Sequence, residues 1–116
     1  MIDVLSNLRQ FYIRCGYTDM RKQIDGLAAI VQSHVEMEEG VLFLFCGQKA
    51  DRIKGLYWDG TGYVLVYKRL SNNRFKWPRN EDDLKQITAQ EYRWLMEGLS
   101  IYQTKAIRET KQKPVF

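Results

Sequence analysis

Hydrophobic and polar residues alternate most regularly between Asp51 and Trp77, where the chain runs DRIKGLYWDGTGYVLVYKRLSNNRFKW. Successive side chains of a strand point to opposite faces of a sheet, so this alternation predicts strands. The segment Asp59-Gly60-Thr61-Gly62 places two glycines between two runs of aromatic and branched residues, and Asn72-Asn73 supplies residues that tolerate a positive φ. The stretch is therefore predicted to form three antiparallel strands joined by two tight turns.

The register of these strands decides which side chains share a face. A first loop of two or four residues places Lys54 opposite Tyr67 and Arg52 opposite Arg69, whereas a loop of three or five residues would scramble this sorting. A two-residue second turn then places Arg69 opposite Lys76. One face is predicted to collect polar and basic side chains: Arg52, Lys54, Tyr67, Arg69, Arg74 and Lys76. The other is predicted to collect apolar ones, with Lys68 as the exception: Ile53, Tyr57, Val64, Val66, Leu70, Phe75 and Trp77.

A strand, a helix and a second strand are predicted before this stretch. Residues 10–15 alternate in the manner of a short strand. Thr18 is a predicted helix cap, because its hydroxyl can accept a bond from a first-turn amide, and apolar residues recur at helical spacing from Met20 to Val35. The unbroken apolar run of Val41–Cys46 is typical of a central strand, buried on both faces or on one face with the other against the tail.

After the stretch, Pro78 is expected to end the third strand, since proline cannot donate to a ladder. A loop is predicted over residues 80–83. Thr88 and Glu91 have the spacing of a capping box, which predicts a second helix that ends near Gly98. Residues 104–116 are polar, basic and aperiodic, and are predicted to be a flexible tail. Residues 1–103 are predicted to form a single domain.

Together these elements predict an α+β fold. An antiparallel sheet of four to five strands carries one helix on its apolar face, and the C-terminal helix packs at the side or end of the sheet. The length of 116 residues fits one domain with one modest core.

Charge is distributed unevenly along the chain, although the net charge is only +4. Residues 47–79 hold eight basic and two acidic side chains, a net charge of +6, and residues 104–116 have a net charge of +3. Acidic clusters lie at residues 36–39 and 81–83. A segregated positive region indicates an anionic partner, nucleic acid first. The alternative is that these cations decorate a solvated sheet and block edge pairing.

Motifs for catalysis or for a bound metal do not stand out in this sequence. The carboxylates Asp19, Asp25, Asp51 and Asp59 are scattered, and the convergence that a two-metal nuclease needs is not indicated. His34 is the single histidine, so a closed zinc site with its usual Cys and His ligands is not expected. We therefore predict no enzymatic activity, no catalytic residue, no metal and no cofactor.

The cysteines and the hydropathy pattern indicate the compartment. Cys15 and Cys46 lie inside apolar runs, as buried and reduced thiols of a cytoplasmic protein do. No run approaches the roughly 20 apolar residues that span a bilayer, and no signal peptide is visible, so no membrane partner is expected.

The order of several short motifs resembles a known family. The motifs are TDMRK from Thr18, DGL from Asp25, LFLF from Leu42, DRIK from Asp51, WDG from Trp58 followed by Gly62, KRL from Lys68, and FKWP from Phe75. The sequence resembles the TnpB-type accessory proteins of the insertion-sequence family numbered sixty-six, over roughly residues 10–99. Three features depart from that pattern: Gln23 stands where the family usually has Gly, Gly55 where it usually has a branched aliphatic residue, and the C-terminal tail lies outside it.

The resemblance implies a component of a bacterial transposable element that works alongside a separate transposase, with no catalytic residues to carry over. Three functions follow as hypotheses. The first is a DNA-binding accessory factor that contacts transposon ends through the predicted basic face, with Arg21 and Lys22 as a second contact. The second is an adaptor that binds the transposase through a sheet edge or the acidic clusters. The third, a nuclease, requires metal-dependent cleavage.

Overall fold

The computed structural model describes residues 7–79 and 83–103. In this part of the chain, five strands and two helices follow one another: β1 (Gln10–Arg14), α1 (Ile24–Gln32), β2 (Val41–Cys46), β3 (Arg52–Trp58), β4 (Tyr63–Arg69), β5 (Leu84–Ile87) and α2 (Ala89–Met96). The strands form one sheet in the order β4-β3-β2-β1-β5. The predicted α+β fold is confirmed. The predicted tail, residues 104–116, lies outside the described residues.

The sheet is mixed, although antiparallel pairs dominate it. Strands β2, β3 and β4 form an antiparallel meander, and β5 is antiparallel to β1. Strands β1 and β2 are parallel, with Phe11 opposite Leu42. Helix α1 lies between them in the chain and carries it back along the sheet, which is the connection that adjacent parallel strands require.

The predicted register of the hairpin between β3 and β4 is confirmed. Arg52 pairs with Arg69, and Lys54 pairs with Tyr67. The loop between the strands has four residues, one of the two lengths that preserve the predicted sorting. The Asp59 carboxylate holds this loop, because it accepts hydrogen bonds from the amides of Thr61 at 2.9 Å and Gly62 at 2.8 Å.

The central strand β2 is covered on both faces, since all six of its residues are buried. On the first face, which we call the α1 face, α1 packs over an apolar cluster of Leu27, Ala28, Val31, Val41, Phe43, Phe45 and Leu56. On the opposite α2 face, α2 and the segment after β4 pack over a second cluster, which includes Ile13, Leu42, Leu44, Trp77, Leu95 and Ile101. The ring of Phe11 stacks on that of Tyr92 there, with centroids 4.3 Å apart.

The prediction that α1 covers the face opposite the cations is wrong. Helix α1 lies on the face that carries Arg52 and Lys54. The reason is that this face changes character along the hairpin: beyond Lys54 it presents Leu56, and the neighbouring strand presents Leu65. The cations occupy only one end of the α1 face, and the apolar remainder receives the helix.

The predicted third strand of the hairpin block is also wrong. Residues 70–79 form no strand and instead cross the end of the sheet. The amide of Phe75 donates to the Ala50 carbonyl oxygen at 2.7 Å, and Trp77 Nε1 donates to the Arg14 carbonyl oxygen at 2.7 Å. The fifth strand is supplied by β5, which the sequence analysis did not predict, and β4 is left as an open edge.

Helix α1 begins at Ile24, not at Thr18 as predicted. Thr18 is buried, and its amide donates to the Cys46 carbonyl oxygen at 2.8 Å, which fastens residues 18–23 to the end of β2. The capping box of α2 is confirmed. The Glu91 amide donates to Thr88 Oγ1 at 3.0 Å, and the Thr88 amide donates to Glu91 Oε1 at 2.8 Å. Gly98, with a φ of +82°, follows the end of that helix as predicted.

Candidate nucleic-acid interface

Five of the eight predicted contact residues gather at the open end of the α1 face. We call this group the hairpin surface: Arg21, Lys22, Arg52, Tyr67 and Arg69. The register of the hairpin places Arg52, Tyr67 and Arg69 on one face, and the segment before α1 brings Arg21 beside them. A hollow of about 610 Å³ lies between Arg21, Arg52 and Tyr67. Tyr67 is 53% exposed, so its ring is open to a ligand.

Lys54, a sixth predicted contact, lines the same hollow but is buried. The residue is only 6% exposed. Its Nζ donates to the Lys22 carbonyl oxygen at 2.7 Å and to Gln23 Oε1 at 3.5 Å. The ammonium therefore satisfies backbone at the start of α1, and in this arrangement it holds residues 18–23 against the hairpin instead of facing a phosphate.

Two arginines of the hairpin surface are paired with neighbouring carboxylates, the exposed Arg21 and the half-buried Arg52. Arg21 contacts Asp19 through Nε at 3.1 Å and Nη2 at 2.8 Å. Arg52 Nε donates to Asp51 Oδ1 at 3.0 Å. Hydrogen bonds from Arg21 lower the pKa of Asp19 to about 2, and a hydrogen bond from Arg52 lowers the pKa of Asp51. Each pair orients a guanidinium but cancels part of its charge, which leaves Lys22 and Arg69 as the cations of the hairpin surface that make no such pair in the described residues.

The ion pair between Asp19 and Arg21 makes the stability of the folded state depend on pH in the acid range. A carboxylate with a lowered pKa stabilises the folded state fully above its ordinary pKa of 3.8, and this contribution is lost as the pH falls towards about 2. We expect wild type to lose more stability between pH 4 and pH 2 than Asp19→Asn does, measured by urea unfolding at each pH. Asp25→Asn, on the exposed side of α1, is the control for removing one carboxylate. Equal acid sensitivity of wild type and Asp19→Asn would contradict the pairing.

The last two predicted contacts, Arg74 and Lys76, lie in a different place from the hairpin surface. Because residues 70–79 form no strand, these side chains are not opposite Arg69 as predicted. They line a second concavity of about 430 Å³, which we call the basic cleft and define by its cations and exposed rings: Tyr17, Lys49, Arg74, Lys76, Arg79 and Tyr102. None of the lining residues that the structure describes is acidic.

Sequence reasoning missed Tyr17, Lys49, Arg79 and Tyr102 as members of this cleft. The guanidinium carbon of Arg79 lies 5.1 Å from the centroid of the Tyr17 ring, a cation–π contact. Lys49 and Arg79 belong to the basic block of residues 47–79, so their charge was visible in the sequence. Their meeting with Tyr102, which lies beyond α2, was not visible, because it depends on the path of residues 70–79 across the end of the sheet.

A third hollow, of about 670 Å³, joins the basic cleft to the hairpin surface. It shares Tyr17 and Lys49 with the cleft, and Arg21 and Arg52 with the hairpin surface. The eight predicted residues are therefore split: five form the hairpin surface, Lys54 is buried beside them, and two lie in the basic cleft. The third hollow has lining residues in common with both regions.

Other chemistry in the described part of the chain is limited. Burial and, to a lesser degree, the charge of Asp51 raise the pKa of the Cys46 thiol to about 12, so this thiol is not a nucleophile at neutral pH. Within residues 7–79 and 83–103, no group of three or more His, Cys, Asp or Glu side chains is placed to hold a metal ion. No helix in these ranges is long and apolar enough to cross a membrane.

Comparison with known proteins agrees with the resemblance. Residues 9–106 match the family model described as "IS66 Orf2 like protein". The chain is 31% identical over 99 residues to the uncharacterized protein y4jC of Sinorhizobium fredii (strain NBRC 101917 / NGR234), which covers 84% of this chain and 80% of that protein. It is 34% identical over 90 residues to the uncharacterized protein y4hO of the same strain, covering 76% and 78%. No solved structure matches. The chain therefore belongs to the IS66 Orf2 like proteins, the accessory proteins of insertion sequences.

Proposed function

We propose that this protein is a non-enzymatic factor of the bacterial cytoplasm that binds the DNA ends of its insertion sequence through the hairpin surface and so assists the separate transposase. The observation that carries the proposal is the placement of Arg52 and Arg69 as direct cross-strand neighbours at the uncovered end of the α1 face. Like charges in this position repel each other. Asp51 compensates part of the Arg52 charge, and a bound anion relieves the repulsion that is left.

The charge of the hairpin surface suits contacts to DNA phosphates. Arg69 and Lys22 are exposed, and they flank two arginines that are already oriented by carboxylates. Phosphate contacts of this kind give affinity and position without reading sequence. The exposed ring of Tyr67 adds an apolar surface against which a sugar or an unpaired base can pack.

Three aspartates in the described part of the chain, two of them beside the hairpin surface, have structural partners, which supports a role without catalysis. Asp19 and Asp51 are held by Arg21 and Arg52, and Asp59 closes the hairpin loop. Each of the three has a lowered pKa caused first by these hydrogen bonds. A general base is typically a group whose pKa lies near the working pH, and these carboxylates do not fit that requirement.

The test is the salt dependence of binding to duplex DNA that carries an end of the element. For the wild type, log K is expected to fall linearly as log salt concentration rises, because bound phosphates release counterions. The Arg52→Ala/Arg69→Ala double variant is expected to bind more weakly and to flatten the slope by about 1.8, the contribution of two phosphate contacts. Fluorescence anisotropy across a salt series measures both quantities.

Two variants serve as controls for this experiment. Arg93→Ala removes an exposed cation from α2, which packs on the opposite face, and should leave the slope unchanged. Lys54→Met removes a buried ammonium that binds backbone, so we expect lower stability with an unchanged slope. Absence of binding at low salt, or binding that does not respond to salt, would refute the proposal.

An adaptor function is the second candidate, and the open edge of β4 favours it. This strand has seven residues and pairs only with β3 in the described sheet, so its outer backbone groups are open to a strand of a partner. The two candidates differ in a capture experiment with the transposase. If the adaptor function is correct, the Arg52→Ala/Arg69→Ala variant retains the transposase as well as wild type does, and no DNA is needed.

A further inference from the structure

We propose that the basic cleft binds an unpaired strand of DNA, so that the protein as a whole recognises a duplex end with a single-stranded extension. This inference rests on the proposed function, because the hairpin surface holds the duplex part. It adds a second site, composed largely of residues that the sequence did not single out.

The cations of the cleft are the first argument. Lys49, Arg74, Lys76 and Arg79 line one concavity, and no lining carboxylate within the described ranges offsets them. Arg74 and Lys76 are exposed, while the residues that alternate with them, Phe75 and Trp77, are buried. The alternation aims both cations outward from a backbone that is fixed on its inner side. Cations arranged in this way can contact the phosphates along the backbone of a single strand.

The exposed rings are the second argument, and they distinguish an unpaired strand from a duplex. Tyr102 is 52% exposed and Tyr17 is 36% exposed, and both line the cleft. In a duplex the faces of the bases are stacked on one another, so a tyrosine ring gains little from them. An unpaired base has a free face that stacks on an aromatic ring whatever its sequence.

The cleft is held in shape before any ligand arrives. The amide of Phe75 donates to Ala50, and Trp77 Nε1 donates to Arg14, so the segment that carries the cations is tied at two points. The Tyr102 amide donates to Ser100 Oγ at 3.0 Å, which fixes the backbone beneath that ring. A site that is ordered in advance loses little conformational entropy on binding.

The connection to the hairpin surface is the third argument. The hollow that joins the two regions is lined by Lys49 on the side of the cleft and by Arg52 on the side of the hairpin surface. Its one carboxylate in the described ranges, Asp19, is paired with Arg21. A strand that leaves a duplex at the hairpin surface can therefore continue past Arg52 and Lys49 into the cleft. At about 430 Å³, the cleft is in the size range of sites that enclose small organic ligands, so one or two nucleotides fill it.

The test compares a blunt duplex with the same duplex carrying an extension of about six thymidines, a length within the usual site size for single strands. Wild type is expected to bind the extended duplex about tenfold more tightly, since each stacked base contributes on that scale. Tyr102→Leu should remove most of this gain, while Tyr17 and the cations of the cleft retain the rest, and Tyr102→Phe should keep it. Leu99→Ala, a substitution of an exposed apolar residue outside the cleft, should also keep it.

The outcomes separate this inference from the proposed function. Salt-dependent binding of the blunt duplex with no gain from the extension overturns the inference and leaves the proposed function intact. A gain that is as large in Tyr102→Leu as in wild type also overturns it, because added phosphates and not stacking on Tyr102 would then explain the affinity. Failure of both DNAs to bind at low salt overturns the proposed function and the inference together.

Discussion

Replacement of Trp77 by alanine is expected to lower the free energy of unfolding by about 3–5 kcal/mol, the usual cost of removing a large buried aromatic side chain. Trp77 is 6% exposed, packs in the cluster on the α2 face, and donates from Nε1 to the Arg14 carbonyl oxygen at 2.7 Å. Since domains of this size are stable by about 5–15 kcal/mol, the loss is a large share of the total. Urea unfolding followed by circular dichroism measures it.

Trp77→Phe separates the packing of the ring from its hydrogen bond. This variant keeps most of the buried apolar area but leaves the Arg14 carbonyl oxygen without its donor, so we expect a cost of about 1–3 kcal/mol. Leu99→Ala changes an exposed residue and should fall within about 0.5 kcal/mol of wild type. A cost below about 1 kcal/mol for Trp77→Ala would contradict the anchoring of residues 70–79 that we describe.

The segment around Trp77 also shows where sequence reasoning succeeded and where it failed. Alternation in residues 74–77 correctly indicated an extended chain with one buried side. Alternation does not say whether the backbone has a strand to pair with, and this segment makes single hydrogen bonds to Ala50 and Arg14 instead of a ladder. Alternation of apolar and polar residues shows which side of a segment is buried. Whether its backbone pairs with another strand is decided by the tertiary structure.

The parallel pair of strands was predictable in principle from the order of elements. A strand, a helix and a strand follow one another from Gln10 to Cys46, and parallel neighbours need a long crossover of this kind. The start of α1 was not predictable, because Thr18 satisfies the capping rule locally but is drawn to the Cys46 carbonyl oxygen. The prediction of the capping box at Thr88 was correct because both of its hydrogen bonds join residues three positions apart in the chain.

The candidate site was predictable only as far as the hairpin determined it. Cross-strand register follows from the loop length, so the neighbourhood of Arg52, Tyr67 and Arg69 could be derived. The burial of Lys54 could not be derived in this way, because it depends on a hydrogen bond to the Lys22 carbonyl oxygen, which lies in a distant segment of the chain. The basic cleft depends on four separated segments, and no local pattern brings them together.

Replacement of Gly55 by valine is expected to destabilise the protein by about 1–3 kcal/mol through overpacking. A Cβ atom at this position would lie 2.8 Å from Val66 Cγ2 and 3.1 Å from Leu42 Cδ1, closer than side chains pack. The higher strand propensity of valine offsets at most about 1 kcal/mol of this strain. Thermal and urea unfolding of the two proteins measure the difference.

A double-mutant cycle tests the cause. Gly55→Ala should cost less in a Val66→Ala background than in wild type, because the closest contact has been removed. Equal costs in the two backgrounds would show that the contact with Val66 is not the cause of the overpacking at position 55.

The place of β1 in the sheet has a consequence for synthesis on the ribosome. This strand comes early in the chain, but one of its neighbours, β5, begins only at Leu84. Until β5 and α2 have left the exit tunnel, the outer backbone of β1 has no partner there, and Phe11 lacks the ring of Tyr92 that covers it. The nascent polypeptide therefore completes this sheet only after residues 84–96 have emerged, and a message cut short before them yields a product with an uncovered apolar sheet.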